Sequence, residues 1–150
     1  MLLSFYLKPE ACITHIDCTT KNGVIEHLVN HLTTLEPSLH REEILAEVLE
    51  REAQYPTYIG FNCAIPHAQI SSLTQTYVVA ASCKKRIPFT EQGEKVSLVV
   101  LIIGPKTHSS LHLRLLSSVA RILHKEERRT ALEEAKTSKE FYNIFCSIGE

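Results

Sequence analysis

The chain of 150 residues has no tryptophan, one methionine and only five glycines. Its six prolines stand singly, so collagen-like and low-complexity sequence are excluded. No apolar run approaches the length of a membrane span; the longest lies near residues 96–103. Residues 1–8 lack the basic segment that opens a secretory signal. Charge is nearly balanced, at −1 with the eight histidines neutral. Such a chain offers neither the basic stripe of a nucleic-acid binder nor a polybasic cluster for an anionic membrane. The five cysteines (Cys12, Cys18, Cys63, Cys83, Cys146) are odd in number, and no two stand as C-x-x-C. They read as reduced thiols, which predicts a cytoplasmic protein rather than a disulfide framework. With no repeat and no Gly/Ser linker, one domain over residues 1–150 is expected. Apolar content of 44% is ordinary for a globular domain of this size, which buries roughly 70% of its unfolded surface.

Periodicity supplies the elements. Residues 2–7 read as a short first strand. Val24, Ile25, Leu28, Val29 and Leu32 recur at helical spacing. Thr19 or Thr20 caps that helix and Pro37 ends it. A second helix is expected from Ser38 to about Ala53, with Ile44, Leu45, Val48 and Leu49 on one face and Arg51 in its last turn. Cys63 and Cys83 lie in strand-like apolar runs and read as small buried residues. Residues 59–60, 63–65 and 76–81 read as strands. Residues 96–103 are almost wholly apolar and predict a central strand buried on both faces. The basic run Lys84-Lys85-Arg86 reads as a solvated turn. After Gly104-Pro105 the period returns to helical. Leu111, Leu115, Ser118, Val119 and Ile122 share a face, and a helix over residues 126–136 carries Leu132 inward. A last helix opens with a capping box from Thr137 to Glu140, with a stripe of Phe141, Ile144, Phe145 and Ile148. The order predicts an α/β or α+β fold in which helices sandwich a mixed sheet.

One stretch carries the chemistry: Thr57-Tyr58-Ile59-Gly60-Phe61-Asn62-Cys63-Ala64-Ile65-Pro66-His67-Ala68. Pro66 has a fixed φ and no N–H, and it pushes Ile65 into an extended conformation. His67 is therefore expected where a strand stops and a loop begins. An imidazole there would accept a phosphoryl group, bind a metal or move a proton. His112 falls in the first turns of the helix after the central strand. Both histidines come from ends of elements where open α/β sheets place ligands.

These residues form an ordered set. Arg51-Glu52, Thr57, Ile59-Gly60 and Ala64-Ile65-Pro66-His67-Ala68 are followed by Ile87-Pro88-Phe89, Gly93 and the apolar strand. His112-Leu113 then precedes Leu115-Leu116. The set resembles the enzyme IIA component of the phosphoenolpyruvate-dependent sugar phosphotransferase system, in its fructose/mannitol and nitrogen-regulatory class (the EIIA type-2 domain). The resemblance implies a phosphotransferase/anion transport protein-like fold. It implies that His67 accepts a phosphoryl group from the phosphocarrier HPr or its nitrogen-branch relative, with His112 and Arg51 assisting. It implies no cofactor and no metal. The phosphoryl group would pass to a permease EIIB component, or its presence would regulate partner proteins. Asn62 and Tyr58 depart from the glycines usual in the family. Asn is the non-glycine residue most tolerant of positive φ, whereas Tyr58 would alter the partner surface.

The chemistry suits the residues. Phosphoryl transfer needs in-line placement and positive charge on the equatorial oxygens, which an arginine fork supplies. Plainer roles stand beside these. His67 would be a loop residue, His112 a helix-surface residue, and Arg51 a partner of Glu47. Thr57 would contact the phosphoryl group or, preferably, cap the turn. His108 and His112, four apart, would with His67 make a three-histidine zinc site. His15, His27, His31, His40 and His124 read as surface residues.

Overall fold

The computed structural model describes residues 2–146. Ile148 of the last predicted stripe lies outside them.

The N-terminal segment differs from the sequence expectation. Leu3–Phe5 forms a 3-10 turn, and the N–H of Leu7 reaches the carbonyl of Leu3 at 2.9 Å. Leu3 and Leu7 are both fully buried while Phe5 points to solvent. Buried positions four apart suit a helical turn, not a pleat. A second 3-10 turn, Pro9–Ala11, leads into the first strand, β1 (Cys12–Ile16), which sequence periodicity did not disclose.

Helix α1 (Lys21–Leu35) begins as expected, with Thr20 Oγ1 accepting from the N–H of Gly23 at 3.0 Å. Its buried positions are the five predicted apolar residues. Helix α2 (Arg41–Gln54) starts three residues later than expected. Before it, the N–H of Leu39 bonds to the carbonyl of Glu36, and this turn consumes Ser38. Arg51 lies in the last turn of α2, where a cation complements the helix dipole.

Strands β2 (Tyr58–Gly60) and β3 (Cys63–Ala64) form a hairpin, and β4 (His67–Gln69) follows. Strand β5 (Tyr77–Pro88) runs well past the predicted end and carries Lys84, Lys85 and Arg86. These cations are exposed as expected, but they sit in a strand whose register shifts between Ser82 and Ile87. Strand β6 (Lys95–Gly104) is buried from residue 96 to its end. Helices α3 (Ser109–Leu123), α4 (Glu126–Glu134) and α5 (Ser138–Cys146) complete the described chain. At the start of α5 the Thr137 hydroxyl accepts from the Glu140 N–H, while the Glu140 carboxylate accepts from Lys136 rather than from Thr137 itself.

The sheet is mixed, in the order β1-β5-β6-β3-β2, with β4 also on β6. β1 is parallel to β5, β5 antiparallel to β6, and β3 and β4 parallel to β6. Because both faces of β6 are buried, helices must cover both sides. α1 and α2 pack on each other, and α3, α4 and α5 pack in succession. The core gathers Ile25, Leu28, Ile44, Leu98, Leu101, Phe141 and Phe145, all at or near zero exposure. No helix among the described residues is long and apolar enough to cross a membrane.

Candidate functional site

Pro66 explains how His67 is held. Cys63 and Ala64 pair with Leu98 and Val99 of β6, and His67 and Ala68 pair with Ile102 and Ile103. Between them the chain leaves the ladder at a residue with no N–H to give. The Pro66 carbonyl still accepts from the N–H of Ile102 at 3.0 Å. His67 therefore opens a strand rather than following one, and its backbone is anchored to the central strand. Its Nδ1 lies 2.8 Å from the carbonyl oxygen of Ile65. A carbonyl only accepts, so Nδ1 carries the proton and Nε2 keeps its lone pair.

His112 reaches the same place from α3. The two imidazole rings are 5.4 Å apart between centroids, tilted by 60°. His112 is 5% exposed, and neither ring nitrogen has a hydrogen-bond partner in the protein. Burial, reinforced by the neighbouring His67, lowers its pKa from 6.5 to about 4. It is therefore no helix-surface residue. His67 is also held below the ordinary imidazole value, chiefly by burial. The bond to Ile65 opposes this; Arg51 lowers the value further and Glu52 raises it. Burial thus favours the neutral form of both rings.

Arg51, His67 and His112 line one depression of about 340 Å³, together with Gln69, Lys106 and Leu113. The Arg51 guanidinium donates one N–H to the Tyr55 carbonyl at 2.9 Å, which fixes the fork while leaving other donors unused. The ion pairs among the described residues join Lys21 to Glu52 and Arg41 to Glu26 and Glu42, so Arg51 is not committed to Glu47. Leu113, 66% exposed, stands on the rim, and Tyr55, Ile59 and Phe61 are also exposed large apolar side chains.

Thr57 turns away from this depression. It is buried, and its hydroxyl donates to Glu52 Oε1 at 2.7 Å while its N–H donates to Oε2 at 2.9 Å. Both of its donors are thus given to Glu52. Glu52 as its partner escaped sequence reasoning, although a signal existed. Ile44, Val48 and Glu52 are spaced by four and form the buried stripe of α2, so the stripe ends in a carboxylate that needs a partner.

The hairpin tip accommodates its departures from the family pattern. Phe61 and Asn62 have φ of 55° and 62°, the pair of left-handed residues of a type I′ turn, and Gly60 has φ of 92°. Asn62 tolerates this as expected. Phe61 is costly there, and its ring is held by Arg129, 4.5 Å from the centroid, and by His124, whose ring stands nearly perpendicular with its centroid 5.1 Å away. Tyr58 is half-buried in the strand.

The three-histidine zinc site is not assembled. His108 lines a different cleft, with Tyr77 and Leu111. No group of three or more His, Cys, Asp or Glu side chains among the described residues is placed to hold a metal ion. His15, His27, His40 and His124 are exposed, and His31 is half-buried with Nε2 on the Glu10 carbonyl.

Comparison with known proteins gives a concordant picture. The family model described as "Phosphoenolpyruvate-dependent sugar phosphotransferase system, EIIA 2" matches residues 5–147. The fructose-specific EIIA component of Haloferax volcanii is 30% identical over 132 residues, which cover 87% of this chain and 86% of that protein. A nitrogen regulatory protein of Bradyrhizobium diazoefficiens is 24% identical over 147 residues, covering 97% and 95%. Among solved structures, nitrogen regulatory protein IIA-Ntr from Neisseria meningitidis superposes with a TM-score of 0.88 at 22% identity, over 97% of this chain and 99% of that one.

Proposed function

This chain belongs to the EIIA type-2 family of the phosphoenolpyruvate-dependent sugar phosphotransferase system, and from that premise we propose that it is a phosphohistidine relay with His67 as the acceptor. The observation that carries the reading is the bond from His67 Nδ1 to the carbonyl of Ile65. It leaves the Nε2 lone pair as the nucleophile. The donor is a phosphorylated HPr-type carrier or a nitrogen-branch relative of it. The phosphorus–nitrogen bond on the donor histidine breaks as the bond from phosphorus to Nε2 forms. The donor nitrogen recovers its electron pair, and Nδ1 keeps its proton throughout.

Arg51 and His112 are the helpers in this reading. The transferring group spreads negative charge over three equatorial oxygens. The uncommitted donors of Arg51 supply charge-assisted bonds to them. His112, neutral and without a partner of its own, offers one ring N–H to the same oxygens. Its place in the first turn of α3 adds the positive potential of that helix end. Exposed Leu113 on the rim gives an approaching carrier an apolar contact. The relay works in the cytoplasm and hands the phosphoryl group to an EIIB component, or its loading state governs binding to regulated partners.

The test is direct. The protein is incubated with phosphoenolpyruvate, enzyme I and the cognate carrier, and the intact mass is followed. One acid-labile, base-stable phosphoryl group is expected, assigned to Nε2 by phosphorus NMR. Labelling of a His67→Ala variant as complete as that of the parent would end this reading.

A further inference from the structure

We propose that Glu52 is a positioning residue for His67, holding through Thr57 and Ile65 the hydrogen bond that keeps the imidazole proton on Nδ1. The inference rests on the acceptor role given to His67 above. Its basis is an unbroken chain of contacts. Both Glu52 oxygens accept from Thr57, one from the N–H at 2.9 Å and one from the hydroxyl at 2.7 Å. The Thr57 carbonyl accepts from the N–H of Ile65 at 3.1 Å. The Ile65 carbonyl accepts from His67 Nδ1–H at 2.8 Å. The end of α2 is thus tied to the orientation of the ring.

Two physical points give this chain its purpose. Glu52 is 2% exposed, and the nearest cation, Lys21, is 3.5 Å away. Burying a carboxylate is expensive, and an apolar residue ending the stripe of Ile44 and Val48 would cost less if packing were all that mattered. The second point concerns the ring. A neutral histidine side chain free in water prefers its proton on Nε2, the tautomer in which that nitrogen has no lone pair to give. The hydrogen bond made by the other nitrogen decides which tautomer is held. A carbonyl kept within 2.8 Å of Nδ1 reverses the intrinsic preference. Only a fixed Ile65 keeps it there, and Ile65 is fixed from one side by Thr57.

Glu52→Gln preserves shape but not the acceptor set. Its single oxygen accepts from the Thr57 N–H, and its amide can only donate to the Thr57 hydroxyl oxygen, so the hydroxyl proton loses its acceptor and the carboxylate charge is gone. Thr57→Val removes the hydroxyl bond alone, and Thr57→Ser keeps it. Each variant is labelled with ¹⁵N-histidine, and the two ring nitrogens of His67 are read by NMR in the unphosphorylated protein. Phosphoryl acceptance is timed separately. The parent is expected to show Nδ1 protonated and Nε2 bare. Glu52→Gln is expected to shift His67 toward the Nε2-protonated form and to slow acceptance about tenfold, the effect of roughly one lost hydrogen bond. Thr57→Val is expected to shift the tautomer less, and Thr57→Ser to recover the parent tautomer. A folded Glu52→Gln with the parent tautomer and the parent rate overturns the proposal. Should Glu52→Gln not fold, an unshifted Thr57→Val overturns it equally. The tautomer reading needs no phosphorylation. A parent that is never phosphorylated at His67 therefore defeats the proposed function without touching the positioning result.

Discussion

Acidification should weaken this protein through the buried ring of His112. His112 is buried, its ring nitrogens are unpaired, and its pKa is lowered from 6.5 to about 4 by burial and then by His67. In the unfolded chain it titrates near the ordinary value of about 6.5. Between those two values the unfolded state binds a proton that the folded state refuses. Stability therefore rises with pH there, by up to about 1.4 kcal/mol per pH unit. The contribution is complete above the unfolded pKa and is lost as pH falls toward the folded one. Integrated over the gap from 6.5 to about 4, it reaches about 3 kcal/mol, a large part of an ordinary domain's stability of about 5–15 kcal/mol. His67, lowered for the same main reason, acts in the same direction. Urea denaturation of the parent and of His112→Leu, from about pH 7 to about pH 4.5, isolates the effect, because the carboxylates titrate in both. The parent should lose about 2–3 kcal/mol more than the variant over that range. Two stability curves that stay parallel would mean that His112 is protonated as readily in the fold as in water, and the reasoning from its burial would be refuted.

Replacing Arg51 by Ala should slow single-turnover phosphoryl acceptance by about one to two decades, the effect of a lost charge-assisted contact of about 1.5–3 kcal/mol. Arg51→Lys should recover only part of it because the fork is gone; unchanged rates in both variants would leave the phosphoryl oxygens to other cations, with Lys106 on the rim first among them. Burial pushes the thiols of Cys63 and Cys83 up to about 12 and raises Cys12 as well. These three should resist alkylation in the native state near neutral pH and react on adding urea, which peptide mass spectrometry would follow; native labelling of Cys63 as fast as in the denatured chain would contradict its burial.

The sequence made some of this legible and hid the rest for definable reasons. Strand β6 could be read because nine consecutive residues from 96 to 104 are buried and almost all are apolar. Helix α1 could be read because its five buried residues keep a strict helical period. The segment at residues 2–7 misled, because two leucines four apart in so short a stretch do not declare their period. Strand β1 was hidden by Thr14 and His15 at its centre, the latter with φ of 53° at a break in register. His67 could be singled out by its proline; its meeting with His112 was implied by the family resemblance but could not be derived from spacing. That meeting depends on β4 lying parallel to β6, which sets His67 opposite Ile102, just before the chain turns into α3. The left-handed conformation of Phe61 had no local signal, since a bulky side chain disfavours it; contacts from Arg129 and His124, distant in sequence, hold it.

The pairing of both β3 and β4 with one strand also determines which changes of length a lineage of such proteins survives. Side chains alternate between the faces of a strand, so a shift by one residue reverses every one of them. Ala64 and His67 are both registered on β6, with only Ile65 and Pro66 between them. One codon gained or lost there would either turn the imidazole to the opposite face of the sheet or unzip β4 from Ile102 and Ile103. Residues 71–75, mostly exposed, connect β4 to β5 and face no such arithmetic. Natural variation in chain length should therefore collect in that connection and be purged from the interval between Ala64 and His67.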